Sequence, residues 1–377
     1  MNAIVPAPVV PKEVFHRRIK KVQQKVAEQK LDAILLFAHE DIAYLTGYYA
    51  HLPWYPADLF RLAPLIVFKD KEPLQVTTLV MTRRFKRQAA IDRIVSYDEY
   101  ADSGFDFLEK LFAQEGLSKA RVGYDPEKVV MHTLEGMRER SPGIEWLDAS
   151  RIMPSIRAIK DSFEIEFLRR ASEINKAGLK AAVEAAKPGV REHYVAAMAE
   201  HAMRVAGAER FTEETMILSG EHVFDTRDRG SPERTIVDND FMIADMGAVF
   251  GGYCSDQATT IFLGTPTKDQ KSRMDIGLGV YDTTLARIRP GMRACDIDGM
   301  AREYYSRSEL KGAHLPHLVG HGVGLEFHEI PLLKPNVETV VEPGMTFTFE
   351  PAVRWEGVGA VRFEEIFLMT EEGVEKL

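Results

Sequence analysis

The sequence predicts an α+β protein: an α/β N-terminal domain, then a second domain in which one helix–helix–hairpin unit occurs twice. Three observations lead there. Up to about residue 147 the chain alternates helix-like and strand-like segments. Further on, Ala186-Lys-Pro-Gly-Val-Arg191 is answered by Ile288-Arg-Pro-Gly-Met-Arg293, with Pro188 and Pro290 102 residues apart, and a helical stretch follows each. Finally, two pairs of carboxylates repeat at similar spacing: Asp245 and Glu350 are 105 residues apart, Asp256 and Glu364 are 108.

The elements follow in order. Residues 13–29 have the pattern of an amphipathic helix, with Phe15, Ile19, Val22 and Val26 on one face. Residues 31–37 are a short apolar run expected as a buried strand, and 64–68 and 74–80 are further strand candidates. Between them lies His51-Leu-Pro-Trp-Tyr-Pro56, an aromatic and proline-rich loop. Residues 150–160 show no clear period, which sets the domain boundary there, between 1–155 and 156–377. Asp161, with Glu164 three residues on, then signals a capped helix start. Ile165, Leu168, Ala171 and Ile174 mark its inner face, and Pro188-Gly189 stops it. The helical stretches after the two Pro-Gly pairs are expected to run to Val205 and Tyr305.

A chain of 377 residues suggests two or three domains with cores that need no disulfide or metal staple. Its net charge of -9 argues against nucleic acid as a partner. Cys254 and Cys295 have no zinc-knuckle spacing and are expected as free thiols in a reducing compartment. Residues 1–11 lack the basic and apolar regions of a secretory leader, and no window approaches the ~20 apolar residues that span a bilayer. The expectation is a cytoplasmic protein with no membrane partner.

The chemistry concentrates around the repeated carboxylates. In Asp245-Met-Gly-Ala-Val-Phe-Gly-Gly-Tyr-Cys-Ser-Asp256, residues 243–250 and 253–263 are strand-like and Gly251-Gly252 is a hairpin turn. A turn centred near residue 250 or 251 sets Asp245 across from Asp256. Opposed carboxylates repel each other unless a cation lies between them. The second hairpin has Glu350 and Glu364 placed symmetrically about residue 357, both beside apolar residues, in Phe347-Thr-Phe-Glu350-Pro and Val361-Arg-Phe-Glu364. A carboxylate in such surroundings needs a partner. His321, in Gly320-His-Gly-Val-Gly324, supplies a nitrogen where glycines let the backbone approach closely. His328 returns to the same side of an extended strand only if a bulge intervenes, so it is assigned to substrate. Four carboxylates and one imidazole suit two divalent ions, drawn from Mn²⁺, Fe²⁺, Co²⁺ or Zn²⁺.

On these motifs the second half resembles the pita-bread metallopeptidases: methionine aminopeptidase, prolidase, aminopeptidase P and their relative creatinase. The first half is similar to the creatinase-type N-terminal domain through Leu31-Asp-Ala-Ile-Leu-Leu36 and Tyr44-Leu-Thr-Gly47. The resemblance implies that Asp256 and Glu364 bridge two metals, that Asp245 binds one, and that His321 and Glu350 bind the other. His317 matches the family's usual run and is expected at the substrate. Two cations would activate a water for attack on a carbonyl carbon. Glu350 would shuttle the proton and His328 would hydrogen-bond the carbonyl oxygen or the developing oxyanion. Arg362, two residues before Glu364 on the same strand face, would orient a carboxylate or Glu364 itself. In relatives with this N-terminal domain the loop matching residues 51–61 reaches the partner's site, which makes Trp54, Tyr55 and Arg61 candidate pocket residues of a homodimer, the aromatics acting through cation–π attraction.

Two positions depart from the family pattern. Proline-specific members carry a histidine about seventeen residues before the first aspartate, but here Asp228 stands there, and the nearest histidine is His222. Where the family usually has Asp-x-Thr-Arg-Thr, this chain has Asp256-Gln-Ala-Thr-Thr260, with Thr259 in the arginine's place. Both changes are expected to touch the site. Arg227, Asp228 and Arg229 suggest a charged or zwitterionic small substrate. The first reading is a dinuclear metal-dependent hydrolase of an amide or peptide C–N bond, Xaa-Pro peptidase-like. The alternative is a non-peptidase relative: a creatinase- or ectoine-hydrolase-like amide hydrolase, or a lyase like that acting on dimethylsulfoniopropionate. An intact ligand set argues against a metal-free binding module.

Overall fold

The computed structural model describes residues 7–49, 62–224, 233–307, 313–315, 317–355 and 359–377. The chain divides into two compact units, Val9–Ile156 and Arg157–Leu377. Trp54, Tyr55, Arg61, Asp228 and Arg229 lie outside the described residues.

The first unit holds a six-stranded mixed sheet. Its central strand, Ala33–Leu36, pairs antiparallel with Leu65–Phe68 and parallel with Arg121–Tyr124. Leu74–Thr78 and Ile94–Tyr97 extend one side, and Glu145–Asp148 the other. Ala33-Ile-Leu-Leu36 is buried throughout, as a continuous apolar run requires when both faces are covered. The helix Lys12–Glu28 buries Phe15, Ile19, Val22 and Val26, the face its spacing predicts. The third strand stops short of residue 80, because Leu79 and Val80 begin the helix Leu79–Gln88 and point outward, at 54% and 61% exposure.

The second unit repeats itself in its backbone as well as its sequence. The first copy starts with the helices Ser162–Ala185 and Glu192–Ala206, the second with Lys268–Leu285 and Ala294–Ser306. Both opening helices begin in a capping box, Asp161 with Glu164 and Thr267 with Gln270. Gly189 and Gly291 share a φ of +87°, which glycine adopts without strain. Arg191 then bridges to Thr235, and Arg293 to Val340. The amides beyond those partners donate alike, Ile236 to Val190 O and Val341 to Met292 O, each at 2.8 Å. A backbone motif recurring with the same partners is what duplication of one unit produces.

Each copy contributes a sheet. The first orders Gln257–Phe262, Phe241–Met246 and Met216–Ser219; the second orders Glu329–Leu333, Gly320–Gly322, Thr346–Phe349, Glu365–Met369 and Val374–Lys376. They meet at one antiparallel bridge, where Ala258 N donates to Glu364 O (3.2 Å) and Glu364 N to Ala258 O (3.0 Å). Glu364 is the counterpart of Asp256, two residues before Ala258. That reciprocal pairing is what a local twofold between the copies demands.

Residues 150–160, expected to lack a period, contain the short helix Ile152–Arg157, which buries Ile152, Met153 and Ile156 at helical spacing. Arg157 and Lys160 are buried cations, with side chains 5% and 1% exposed, and both grip Glu329. Lys160 Nζ lies 2.8 Å from Glu329 Oε2, and Arg157 Nη2 donates to Oε1. Burial pushes the Glu329 carboxyl up, but the two cations overcome it and hold it at about 2. The Glu329→Gln variant removes the carboxylate that both cations grip, leaving Arg157 with Glu326 at 3.8 Å, with an expected loss of about 3–5 kcal/mol in urea unfolding at pH 7. The folded carboxyl lies below its ordinary 4.5, so this stabilisation is full above pH 4.5 and fades as pH falls toward 2. The gap between wild type and variant should close across that window.

Candidate metal centre

Strand register brings the carboxylates together. Asp245 pairs with Ala258, and Ala258 bridges to Glu364. In the second hairpin Thr346 pairs with Leu368 and Phe349 with Glu365, so Glu350 and Glu364 are the next opposed residues. Glu350 N donates to Val319 O at 2.8 Å, two residues from His321. Directly opposed residues of antiparallel strands share a face, as do residues two apart on one strand. Asp245, Asp256, His321, Glu350 and Glu364 therefore face one way, and each is buried.

The first turn lies slightly later than expected. Val249 pairs with Cys254 and Phe250 with Tyr253, which centres it between Gly251 and Gly252, both at positive φ as a tight hairpin requires. Asp245 thus opposes Ala258, and Asp256 is its diagonal neighbour on the same face. The expectation for Thr259 is corrected by strand alternation. Thr259 pairs with Ala244, so alternation turns its side chain to the other face, where it lines a cleft with Leu179, Val183 and Tyr281. That departure from the family pattern lies behind the site.

His321 is set up as a one-sided donor. Its Nδ1 lies 3.0 Å from the Gly322 carbonyl, which can only accept, so Nδ1 carries a proton. Nε2 lies 3.2 Å from Asp256 Oδ2 and 3.5 Å from Glu350 Oε1. Between two carboxylates, Nε2 calls for a positive charge, as a proton or as a cation. A Cβ on Gly320 would overlap the Thr348 carbonyl, and one on Gly322 the Ile330 carbonyl, so this tight backbone requires glycine. His321 and His328 do not share one extended strand: the chain turns back between Gly320–Gly322 and Glu329–Leu333, which pair antiparallel, and this reversal, not a bulge within a strand, sets the two imidazole rings 3.9 Å apart. Burial, then the His321 ring, lowers His328 to about 4.

Arg362 reaches across the site. Its Nη1 pairs with Asp245 Oδ2, and its Nη2 with Glu350 Oε2 at 2.8 Å. Thr260, one step along the bridge, fixes its backbone: Thr260 Oγ1 donates to Arg362 O (2.7 Å) and accepts from Arg362 N (2.8 Å). One guanidinium against four buried carboxylates leaves a large excess of negative charge. Burial and then Asp256, Glu350 and Asp245 push the Glu364 carboxyl well above its ordinary value. Burial also raises Glu350, against the pull of Arg362 and His321. Asp245 Oδ1 and Glu364 Oε1 are buried without a hydrogen-bond donor among the described residues.

These residues fit divalent cations. Asp256, His321 and Glu364 offer ligand atoms all within 4.8 Å of one another, and so do Glu213, Asp245 and Asp256. Asp256 is common to both sets. Glu213 was not foreseen; its only trace in the sequence is the acidic pair Glu213-Glu214 just before the apolar strand Met216–Ser219. His317 is partly buried with Nδ1 on the Leu318 carbonyl, and burial followed by Arg362 lowers it to about 4. His222 packs its Nδ1 3.4 Å from Glu192 Oε2.

Comparison with known proteins agrees with this geometry. Residues 166–371 match metallopeptidase family M24, and residues 18–159 match the creatinase/prolidase N-terminal domain. The chain belongs to metallopeptidase family M24. It is a metal-dependent peptidase, which bears out the pita-bread resemblance and implies divalent metal ions as cofactor. Among relatives of this M24 protein, an Xaa-Pro dipeptidase of Pyrococcus furiosus is 35% identical over 244 residues, covering 65% of this chain and 70% of that protein. The structure of an Xaa-Pro dipeptidase from Bacillus anthracis superimposes with a TM-score of 0.87 at 26% identity, covering 96% of this chain and 97% of the other. A prolidase from Pyrococcus furiosus gives 0.83 at 27% identity, covering 94% and 98%.

The Thr260–Arg362 clasp yields a test in this M24 chain. Thr260→Val keeps the shape but leaves the Arg362 amide without its acceptor. The expected cost is about 1–3 kcal/mol in chemical unfolding. Unchanged stability would show that the hydroxyl does not hold Arg362.

Proposed function

We propose that this M24 peptidase hydrolyses small Xaa-Pro substrates, dipeptides first, with two divalent ions held by Asp245, Asp256, His321, Glu350 and Glu364. The observation that carries the reading is His321 Nε2, within 3.5 Å of Asp256 and Glu350 in a cluster of buried carboxylates. The relatives named prolidase or Xaa-Pro dipeptidase support the substrate class, and they do not favour a creatine, ectoine or sulfonium substrate. Mn²⁺ is the proposed ion, because four of the five donors are carboxylates. When bound, the ions supply Lewis acidity at the scissile carbonyl and acidify the attacking water.

The chain's own residues do the rest. Glu350 takes the proton from the attacking water and passes it to the leaving nitrogen. Arg362 fixes the Glu350 and Asp245 carboxylates so that neither turns away. His328 donates a hydrogen bond to the carbonyl oxygen as charge builds there. His317 is assigned to the substrate, and on sequence alone so are Asp228, Arg229, Trp54, Tyr55 and Arg61. We further propose a catalytic domain of residues 156–377, a homodimer on the family resemblance, and a cytoplasmic setting, supported by the free thiols of Cys254 and Cys295. No helix among the described residues is long and apolar enough to cross a membrane.

The experiment is hydrolysis of a panel of Xaa-Pro and Xaa-Ala dipeptides before and after chelation. Proline dipeptides should be preferred, chelation should abolish turnover, and Mn²⁺ should restore it. Asp256→Asn and Glu364→Gln should lose at least about a hundredfold in kcat together with metal, and His328→Ala should lose turnover while keeping metal. Full activity in the two carboxylate variants would overturn the reading.

A further inference from the structure

We propose that Glu213 is a sixth protein ligand of the metal centre, binding the same cation as Asp245. The inference rests on the metal reading above and adds to it a second, all-oxygen subsite.

The backbone argument comes first. The chain leaves the strand Arg210–Phe211, which pairs with Ala248 and Val249, and enters Met216–Ser219, whose first residue pairs with Asp245. Residues 212–215 must therefore cross the chain at Gly247. Thr212 N donates to Gly247 O at 3.0 Å, and a Cβ on Gly247 would overlap both Thr212 Oγ1 and the Ser255 carbonyl. The link is thus seated on Gly247, two residues from Asp245. This places a Glu213 carboxylate oxygen within 4.8 Å of ligand atoms of Asp245 and Asp256.

The second observation is on Asp245. Its Oδ2 is taken by Arg362, while Oδ1 is buried with no hydrogen-bond donor among the described residues. A buried carboxylate oxygen calls for a donor or a cation. The neighbouring link brings a third carboxylate instead. Three carboxylates this close repel, and a divalent ion among them reverses the sign. The two subsites then differ in kind. Asp256, His321 and Glu364 include a nitrogen, whereas Glu213, Asp245 and Asp256 offer only oxygen, which suits a hard ion such as Mn²⁺. Glu213 is half-buried beside two buried aspartates, so it closes that subsite from the outside.

The test is Mn²⁺ binding to the chelator-stripped full-length chain, with affinity from calorimetry and stoichiometry from elemental analysis. Wild type should take up two ions. Glu213→Gln should keep one at wild-type affinity and weaken the other by at least about tenfold. Glu213→Asp, with the charge on a shorter arm, should fall between. Glu214→Gln, exposed and one residue away, should match wild type. Two ions at wild-type affinity in Glu213→Gln, including a variant that raises only KM, would overturn the inference and leave the five-ligand reading standing. A wild type that takes up no Mn²⁺ would overturn both. If Glu213→Gln does not fold, Glu213→Asp decides: a weakened second ion supports the ligand, and two unchanged ions overturn it.

Discussion

The antiparallel backbone bridge between Ala258 and Glu364 sits at the middle of the centre, flanked by the Thr260–Arg362 hydrogen bonds and by Cys254 N donating to Gly324 O. It joins the sheets of the two repeated units and fixes the register of four strands at once. Because that register is antiparallel and reciprocal, the carboxylates of each hairpin fall on one face and against each other. The unit was duplicated, and so was its pair of acids. What duplication concentrates is negative charge, away from water, in a place where charge is expensive to leave unpaired.

The rest of the local architecture answers that charge. Arg362 offsets part of it, held on the same ladder by Thr260. The Gly322 carbonyl holds the His321 Nδ1 proton on the side away from the acids, which aims Nε2 at them. The glycines around His321 exist because carbonyls of the neighbouring strands occupy the space a side chain would need. The reversal between the two antiparallel strands that flank residues 323–328 brings His328 back beside His321. Next to His328, Glu329 is clamped by Arg157 and Lys160, and its own strand is thereby anchored to the start of the catalytic unit.

Much of this was legible in the sequence wherever a local rule applies. Asp161 and Glu164 announce a capping box because each side chain meets a backbone group within three residues. Gly251-Gly252 announces a turn because tight hairpins need positive φ. The symmetry of Glu350 and Glu364 about residue 357 predicts their pairing because a hairpin fixes its own register. The resemblance to the pita-bread enzymes rests on these same short motifs, and it pointed to the right family.

What the sequence by itself determined, then, was the two-domain α+β plan, the repeat and the five candidate ligands, since each is written within a helix or a hairpin. Only the tertiary structure decided how Arg362 reaches Asp245, 117 residues away, why residues 157–160 carry buried cations, and that Glu213 joins the acids. Those facts depend on contacts between strands far apart along the chain. No local period encodes such contacts; the bridge at Ala258 and the seat on Gly247 create them when the two halves close on each other.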